Sequence, residues 1–196
     1  MAMTGKNVVV IAGPSGSGKN SLIREMQRRF HTIDRLVTAT TRHPRTGEAD
    51  GVDYHFFSQE QFDEELGKGT ILEHRFVAAL NTYYGIYAPD LDARIQAGHI
   101  VFAQVDIVGA RVLKEHYNAT TIFIMPESLS QFEGRLRVRN PEWSPKEFAA
   151  RIKITEEEVR VHAPQYDYRV VNGDGALMET VDAVIDIMRK EGYNLA

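Results

Sequence analysis

The sequence predicts an α/β domain built on a parallel core sheet with a small β-rich insertion, and three observations carry that prediction. Val8 to Ala12 is an uninterrupted apolar run that passes into Gly13-Pro14-Ser15-Gly16-Ser17-Gly18-Lys19 and then into an amphipathic pattern. A strand without polar alternation is covered on both faces, as in parallel sheets. Further on, short apolar runs alternate with helical patterns, the order expected of βα units. Between residues 34 and 88 this alternation gives way to short extended segments around one short helix, which reads as an inserted lobe.

Composition narrows the classes. The 196-residue chain is long enough for one well-buried domain, and with no cysteine it has neither a disulfide framework nor thiolate chemistry, which fits a reducing cytoplasm. A net charge of −4 argues against a nucleic-acid surface, so basic clusters are expected to serve a local anionic ligand. No apolar run approaches a membrane span, and residues 1–7 lack the apolar core of a secretion signal.

In chain order, Leu22, Ile23, Met26 and Phe30 mark the buried face of a first helix, and Asp34 to Thr41 reads as the second strand. Arg42 to Asp53 has the charge, proline and glycine content of a loop, after which residues 53–57 resume extended structure. Ser58 with Gln61 forms a capping box, and 70–77 is strand-like. Residues 89–97 form a helix ended by Gly98, 99–106 a buried strand closing on Asp106, 108–117 a helix and 121–125 a strand. Ser128 caps a helix with Leu129, Phe132 and Leu136 on one face. Ser144-Pro145-Lys146-Glu147 starts another, carrying Phe148, Ile152 and Val159. Residues 168–171 form the last strand, and 176–190 a closing helix with Leu177, Val181, Val184, Ile185 and Met188 inward.

The chemistry gathers at the glycine-rich stretch. Its spacing fits the phosphate-binding pattern G-x-x-x-x-G-K: glycines let backbone N–H groups converge on phosphate oxygens, and Lys19 adds a positive charge at a helix start. The hydroxyl expected next to Lys19, the metal contact of this pattern, is displaced by one residue, with Asn20 preceding Ser21. Phosphoryl transfer requires converging cations. Arg42 and Arg45, with the hydroxyls of Tyr54 and Tyr84, can clamp an acceptor phosphate, and Arg135, Arg139 and Arg151 flank the short loop 140–144 as lid cations. Asp106 closes a buried strand, where an acid can reach metal or substrate. Glu73, in an apolar strand, can accept two hydrogen bonds from a purine edge.

On these residues the chain resembles the guanylate kinases over nearly its whole length. Gly13 through Lys19 looks like their phosphate loop, and Thr40-Thr41-Arg42-His43-Pro44-Arg45-Thr46-Gly47-Glu48 through Asp50-Gly51-Val52-Asp53-Tyr54 is similar to their T-T-R-x-P-R-x-G-E-x-x-G-x-D-Y signature. The resemblance implies a P-loop NTPase three-layer α/β/α fold. Its core would be 1–33, 89–126 and 164–196, its GMP-binding lobe 34–88 and its lid 127–163. It implies ATP:GMP phosphotransfer by a cytoplasmic monomer or homodimer with Mg²⁺, without nucleic-acid or membrane partners. The implied ATP contacts are Gly13, Pro14, Ser15, Gly16, Ser17, Gly18, Lys19, Asn20, Ser21 and Asn172, with Ser21 on the metal. GMP would meet Thr38, Arg42, Arg45, Tyr54, Glu73, Tyr84 and Asp106, and Lys19, Arg42, Arg135, Arg139 and Arg151 would act in catalysis.

Three positions depart from that pattern. Ile86 stands in place of a hydroxyl after Tyr83-Tyr84-Gly85, Gln104 in place of the first acid of D-x-D, and Asn20-Ser21 in place of the usual loop ending. The loop ending and Ile86 are similar to ribose 1,5-bisphosphate phosphokinases, which leaves a sugar-phosphate acceptor as an alternative. A non-catalytic, protein-binding guanylate-kinase-like module is a further one.

Overall fold

The computed structural model describes residues 6–195, and within them the side chains of Ala79, Leu129 and Arg139 lie outside the description. The chain runs β1 (Val8–Ala12), α1 (Lys19–Arg29), β2 (Ile33–Arg35), β3 (Ala39–Thr40), β4 (His55–Phe56), α2 (Gln59–Gly67), β5 (Ile71–Val77), β6 (Thr82–Tyr87), α3 (Ala88–Gln96) and β7 (Ile100–Ala103). It continues through α4 (Ile107–Tyr117), β8 (Thr120–Pro126), α5 (Leu129–Arg139), α6 (Pro145–Glu157), a π-helical turn at Glu158–His162, β9 (Tyr168–Asn172) and α7 (Leu177–Lys190).

Five strands form a parallel sheet in the order β2-β7-β1-β8-β9. All of β1 is buried, and its side chains alternate between two cores. Val9 and Ile11 pack with Leu22, Ile23 and Met26 of α1 and Val181, Val184 and Met188 of α7. Val8, Val10 and Ala12 pack on the other side with Leu91 of α3 and Ala110 and Leu113 of α4. Helices therefore cover both faces of the sheet, the three-layer arrangement expected.

The inserted lobe is a second sheet, ordered β4-β3-β6-β5, with its own core of Ala39, Phe62 and Ile71. The single strand expected over 34–41 is divided: Ile33–Arg35 pairs with β7 in the core sheet, whereas Ala39–Thr40 pairs with β4 and β6 in the lobe. Leu36 and Val37 are buried in the crossing between them. The first residues assigned to the lobe thus belong to the core sheet. The strand expected over 99–106 ends at Ala103, because Asp106 begins the next helix: its Oδ1 accepts from the backbone N–H groups of Val108 (3.0 Å) and Gly109 (3.1 Å).

Both capping boxes form as expected, at Ser58/Gln61 and Ser144/Glu147. The apolar face expected on α6 is only half-buried at Phe148, Ile152 and Val159; Phe148 instead stacks under the Arg137 guanidinium, 4.2 Å from its ring centre. Among the described residues, no helix is long and apolar enough to cross a membrane.

Candidate active site

The loop between β1 and α1 is shaped by what its glycines allow. Gly18 has φ +94°, and a Cβ there would stand 2.1 Å from Asn172 Nδ2; a Cβ on Gly13 would meet the Ile124 carbonyl oxygen at 2.3 Å. Asn172, an ATP contact implied by the resemblance, braces this loop. Its buried amide donates to the Ser17 carbonyl (2.8 Å) and its oxygen accepts from the Thr180 hydroxyl (3.1 Å), so the side chain is committed to the protein. Thr180 is a supporting residue that its sequence context on a closing helix does not reveal. Lys19 Nζ donates to the carbonyls of Gly13 (2.6 Å) and Pro14 (2.8 Å), which places the ammonium over the mouth of the loop.

Ser15, Gly16, Gly18, Lys19, Asn20 and Ser21 line a cleft of about 430 Å³ together with Arg24 and Arg135. Arg135 reaches it from α5 and is tied to Asp174, in the turn after β9, by an Nε–H bond of 2.8 Å to Oδ1 and an ion pair in which Nη2 lies 2.7 Å from the same oxygen. Arg24 was not singled out as a site residue, since an exposed helix arginine looks like any other until the fold places it at a cleft.

A second cavity, of about 240 Å³, lies in the lobe and is bounded by Thr38, Tyr54, Glu73, Tyr84, Ile86 and Asp106, among others. Glu73 enters it from a bulge. β5 and β6 pair Ile71 with Tyr87 and then His74 with Gly85, so Leu72 and Glu73 together face Ile86. Gly85 makes this possible, because a Cβ there would press on Ile71 at 2.7 Å and on the Glu73 carbonyl at 3.0 Å. Burial pushes the Glu73 carboxyl above its usual range; the nearby Asp106 charge adds to this, and Arg75 works against it. Asp106 Oδ2 lies 3.6 Å from Arg75, while Oδ1 caps α4.

A third cavity, of about 220 Å³, adjoins the other two: it shares Lys19 with the cleft of the glycine loop and Gln104, Val105 and Asp106 with the lobe cavity. Glu158 and His162, from the π turn that follows α6, also line it. Burial raises the Glu158 carboxyl pKa, opposed by the charges of Lys19, Arg151 and His162, so Arg151 is brought to the same place as the loop lysine. Glu158 thus lines this cavity, although nothing in its local sequence singles it out.

The signature loop sits beside the lobe cavity. Arg42 donates to both oxygens of Glu48, at 2.9 Å each, and to the His43 carbonyl, and its guanidinium lies 5.3 Å from the Tyr54 ring centre. Glu48 also accepts from the Arg45 backbone N–H at 2.8 Å, so this carboxylate organises both arginines, a role not assigned to it from sequence. The Arg45 side chain is exposed. Arg139 ends α5, with its side chain outside the description. Among the described residues, no three or more His, Asp or Glu converge on a possible metal position. Ser21 supplies a hydroxyl at the cleft of the glycine loop.

Residues 5–191 match the guanylate kinase family model. The chain is 36% identical to the guanylate kinase of Chlorobaculum tepidum over 179 residues, 90% of this chain and 89% of that one. It is 39% identical to that of Thermosynechococcus vestitus over 168 residues, 85% and 86% of the two chains. A solved guanylate kinase of Anaplasma phagocytophilum superposes with a TM-score of 0.66 at 28% identity, covering 97% of this chain and 89% of that one. The phosphate loop, the bulged acid and the arginine signature, set in a three-layer core with an inserted lobe, thus have a common explanation: the chain belongs to the guanylate kinase family.

Proposed function

We propose that this protein transfers the γ-phosphoryl group of ATP to GMP or dGMP, giving ADP and GDP or dGDP. The observation that carries the reading is Glu73, a half-buried carboxylate delivered by a bulge into a cavity that connects to the loop lysine. A carboxylate in that setting has two acceptor oxygens for the N1 and N2 protons of guanine, and a base that lacks those donors leaves it unpaired.

The roles follow from position. The glycine loop cradles the donor phosphates with backbone N–H groups, and Lys19, at the junction of cleft and middle cavity, neutralises charge on the transferring group. Arg42 and Arg45 take the acceptor phosphate, with Tyr54 and Tyr84 as hydroxyl donors and Thr38 and Asp106 beside the base. For Arg42 this means exchanging the Glu48 carboxylate for phosphate oxygens, a like-for-like replacement of one anion by another. Arg135, Arg139 and Arg151 close from the lid, and the closing lid excludes water that would otherwise accept the phosphoryl group.

The donor set suits a Mg²⁺ ion that arrives on ATP, since the cleft offers the Ser21 hydroxyl and Mg²⁺ keeps phosphate and water ligands in such sites. Bound there, the ion supplies charge neutralisation at the phosphates.

A second reading has one observation in its favour. Ile86, 1% exposed, gives the lobe cavity an apolar wall where a hydroxyl would suit guanine better, as a sugar-phosphate acceptor allows. Initial rates with GMP, dGMP, AMP, UMP and ribose 1,5-bisphosphate, each with ATP and Mg²⁺, decide between them. GMP or dGMP should exceed every other acceptor by at least about a hundredfold in kcat/KM, given the cost of leaving a buried carboxylate unpaired. Turnover of ribose 1,5-bisphosphate without turnover of GMP would replace the acceptor and keep the phosphate chemistry.

A further inference from the structure

The lobe cavity holds a cation that the phosphate chemistry does not use. Arg75 stands two residues beyond Glu73 on β5 and is paired with Tyr84 across β6. Strand alternation puts Glu73 and Arg75 on one face, about 7 Å apart along the strand, while His74 turns to the other face and packs against the rings of Phe62 and Tyr83. Among the described residues that bound the cavity, Arg75 is the one cation, set beside the carboxylates of Glu73 and Asp106.

Asp106 keeps Arg75 at the cavity without using up its donors. One oxygen of that carboxylate is fixed by capping α4, and the other lies 3.6 Å from Arg75 Nη1, longer than a hydrogen bond. The guanidinium is exposed and retains N–H groups for a ligand. Its charge also opposes the rise that burial and Asp106 impose on the Glu73 pKa, so the two groups sense each other in the cavity.

A guanine whose N1 and N2 protons meet Glu73 presents its O6 and N7 acceptors alongside, and these need donors. Ile86 has none to give, and the Gln104 NH₂ group is directed at Asn20. Thr38 offers one hydroxyl, enough for one acceptor, whereas a guanidinium fork spans both.

We infer that Arg75 is a specificity-determining residue that donates to O6 and N7 of the bound guanine, supplying what Ile86 cannot. The carboxylate then reads the donors of the base and the guanidinium its acceptors. Adenine fails at both, since it lacks the N1 and N2 protons and sets an amino group where O6 would be. The inference rests on the proposed acceptor, a guanine nucleotide.

Steady-state rates with GMP and with 7-deaza-GMP, which carries C–H in place of N7, test it in the unaltered protein and in Arg75→Met, Arg75→Lys and Thr38→Val. In the unaltered protein GMP should exceed 7-deaza-GMP in kcat/KM by about fivefold to tenfold, the effect of one lost hydrogen bond. Arg75→Met should lower kcat/KM for GMP by about fivefold to 150-fold, the range of a bidentate arginine–guanine contact, and bring the two nucleotides within about twofold of each other, with the KM for ATP unchanged. Arg75→Lys keeps the charge and loses the fork, so it should recover part of the efficiency and none of the preference for GMP over 7-deaza-GMP. Thr38→Val should retain that preference. A GMP efficiency in Arg75→Met close to that of the unaltered protein would overturn the inference, as would a preference that survives in Arg75→Met, is absent from the unaltered protein or disappears in Thr38→Val. An unaltered protein that phosphorylates ribose 1,5-bisphosphate and is inert towards GMP would overturn the proposed acceptor and the inference together, a result distinct from all of these.

Discussion

Replacing Glu73 by Gln separates what that carboxylate does for the ligand from what it does for the fold. In the lobe cavity it offers two oxygens, and the guanine edge offers two N–H donors. Gln keeps one oxygen and turns an NH₂ group toward the second donor, leaving two donors facing each other in a half-buried place. Such a mismatch costs roughly 1 to 3 kcal/mol, so kcat/KM for GMP should fall about fivefold to 150-fold while the KM for ATP stays within twofold. Stability should move the other way. Burial and the Asp106 charge raise the Glu73 pKa against the pull of Arg75. The folded state therefore favours the protonated carboxyl, so stability is lost as pH rises from the unfolded carboxyl value through the folded one. Gln removes that cost, so Tm at pH 7 should hold or rise. Steady-state rates with GMP and ATP varied in turn, together with a thermal melt, read both quantities. GMP efficiency within twofold of the unaltered protein, or equal losses for GMP and ATP, would refute the assignment of Glu73 to the base.

Two further perturbations test the frame around the site. Gly18→Ala combines a left-handed φ of +94° with a Cβ 2.1 Å from the Asn172 amide, whereas Gly47→Ala meets a similar φ of +89° in open space. Chemical denaturation should show Gly47→Ala losing about 1 kcal/mol and Gly18→Ala clearly more, with equal losses contradicting the packing of Asn172 under the loop. Asp90 joins the lobe to the core: it accepts from Arg94 at 2.7 and 3.0 Å and from the Val37 N–H, and lies 3.1 Å from His55 Nε2. Burial alone would raise its pKa, but the bonds from His55 and Arg94, the Arg94 charge and the Val37 amide outweigh it and hold the carboxyl at about 2. A depressed carboxyl pKa gives stability that is complete above the unfolded value near 4 and lost as pH falls through about 2. Asp90→Asn should therefore cost about 2 kcal/mol at pH 7, and its unfolding free energy should converge with that of the parent as pH approaches 2. A gap independent of pH would show that the charge is not the source.

The sequence by itself determined those features whose causes are local. An apolar run followed by Gly13, Gly16, Gly18 and Lys19 can form little other than a buried strand feeding a phosphate loop, because few other residues tolerate those φ angles. Ser58 and Ser144 with their N3 partners mark helix starts that the fold keeps. The 3.6-residue spacing of Val181, Val184, Ile185 and Met188 found the buried face of α7. Tertiary structure decided whatever depends on which segments meet. One short stretch, 33–40, serves two sheets, because Leu36 and Val37 are buried in the crossing while its ends pair with different strands. Asn172 turned from expected ligand contact to brace once Ser17 and Thr180 closed around its amide. Glu73 faces the cavity because the bulge opposite Ile86 shifts the strand's alternation, and bulges leave no clear mark in hydrophobic pattern. The meeting of Glu158 with Lys19 and the hydrogen bond between Asn20 and Gln104 are invisible in the sequence, since each joins residues far apart in the chain and near only in the folded protein.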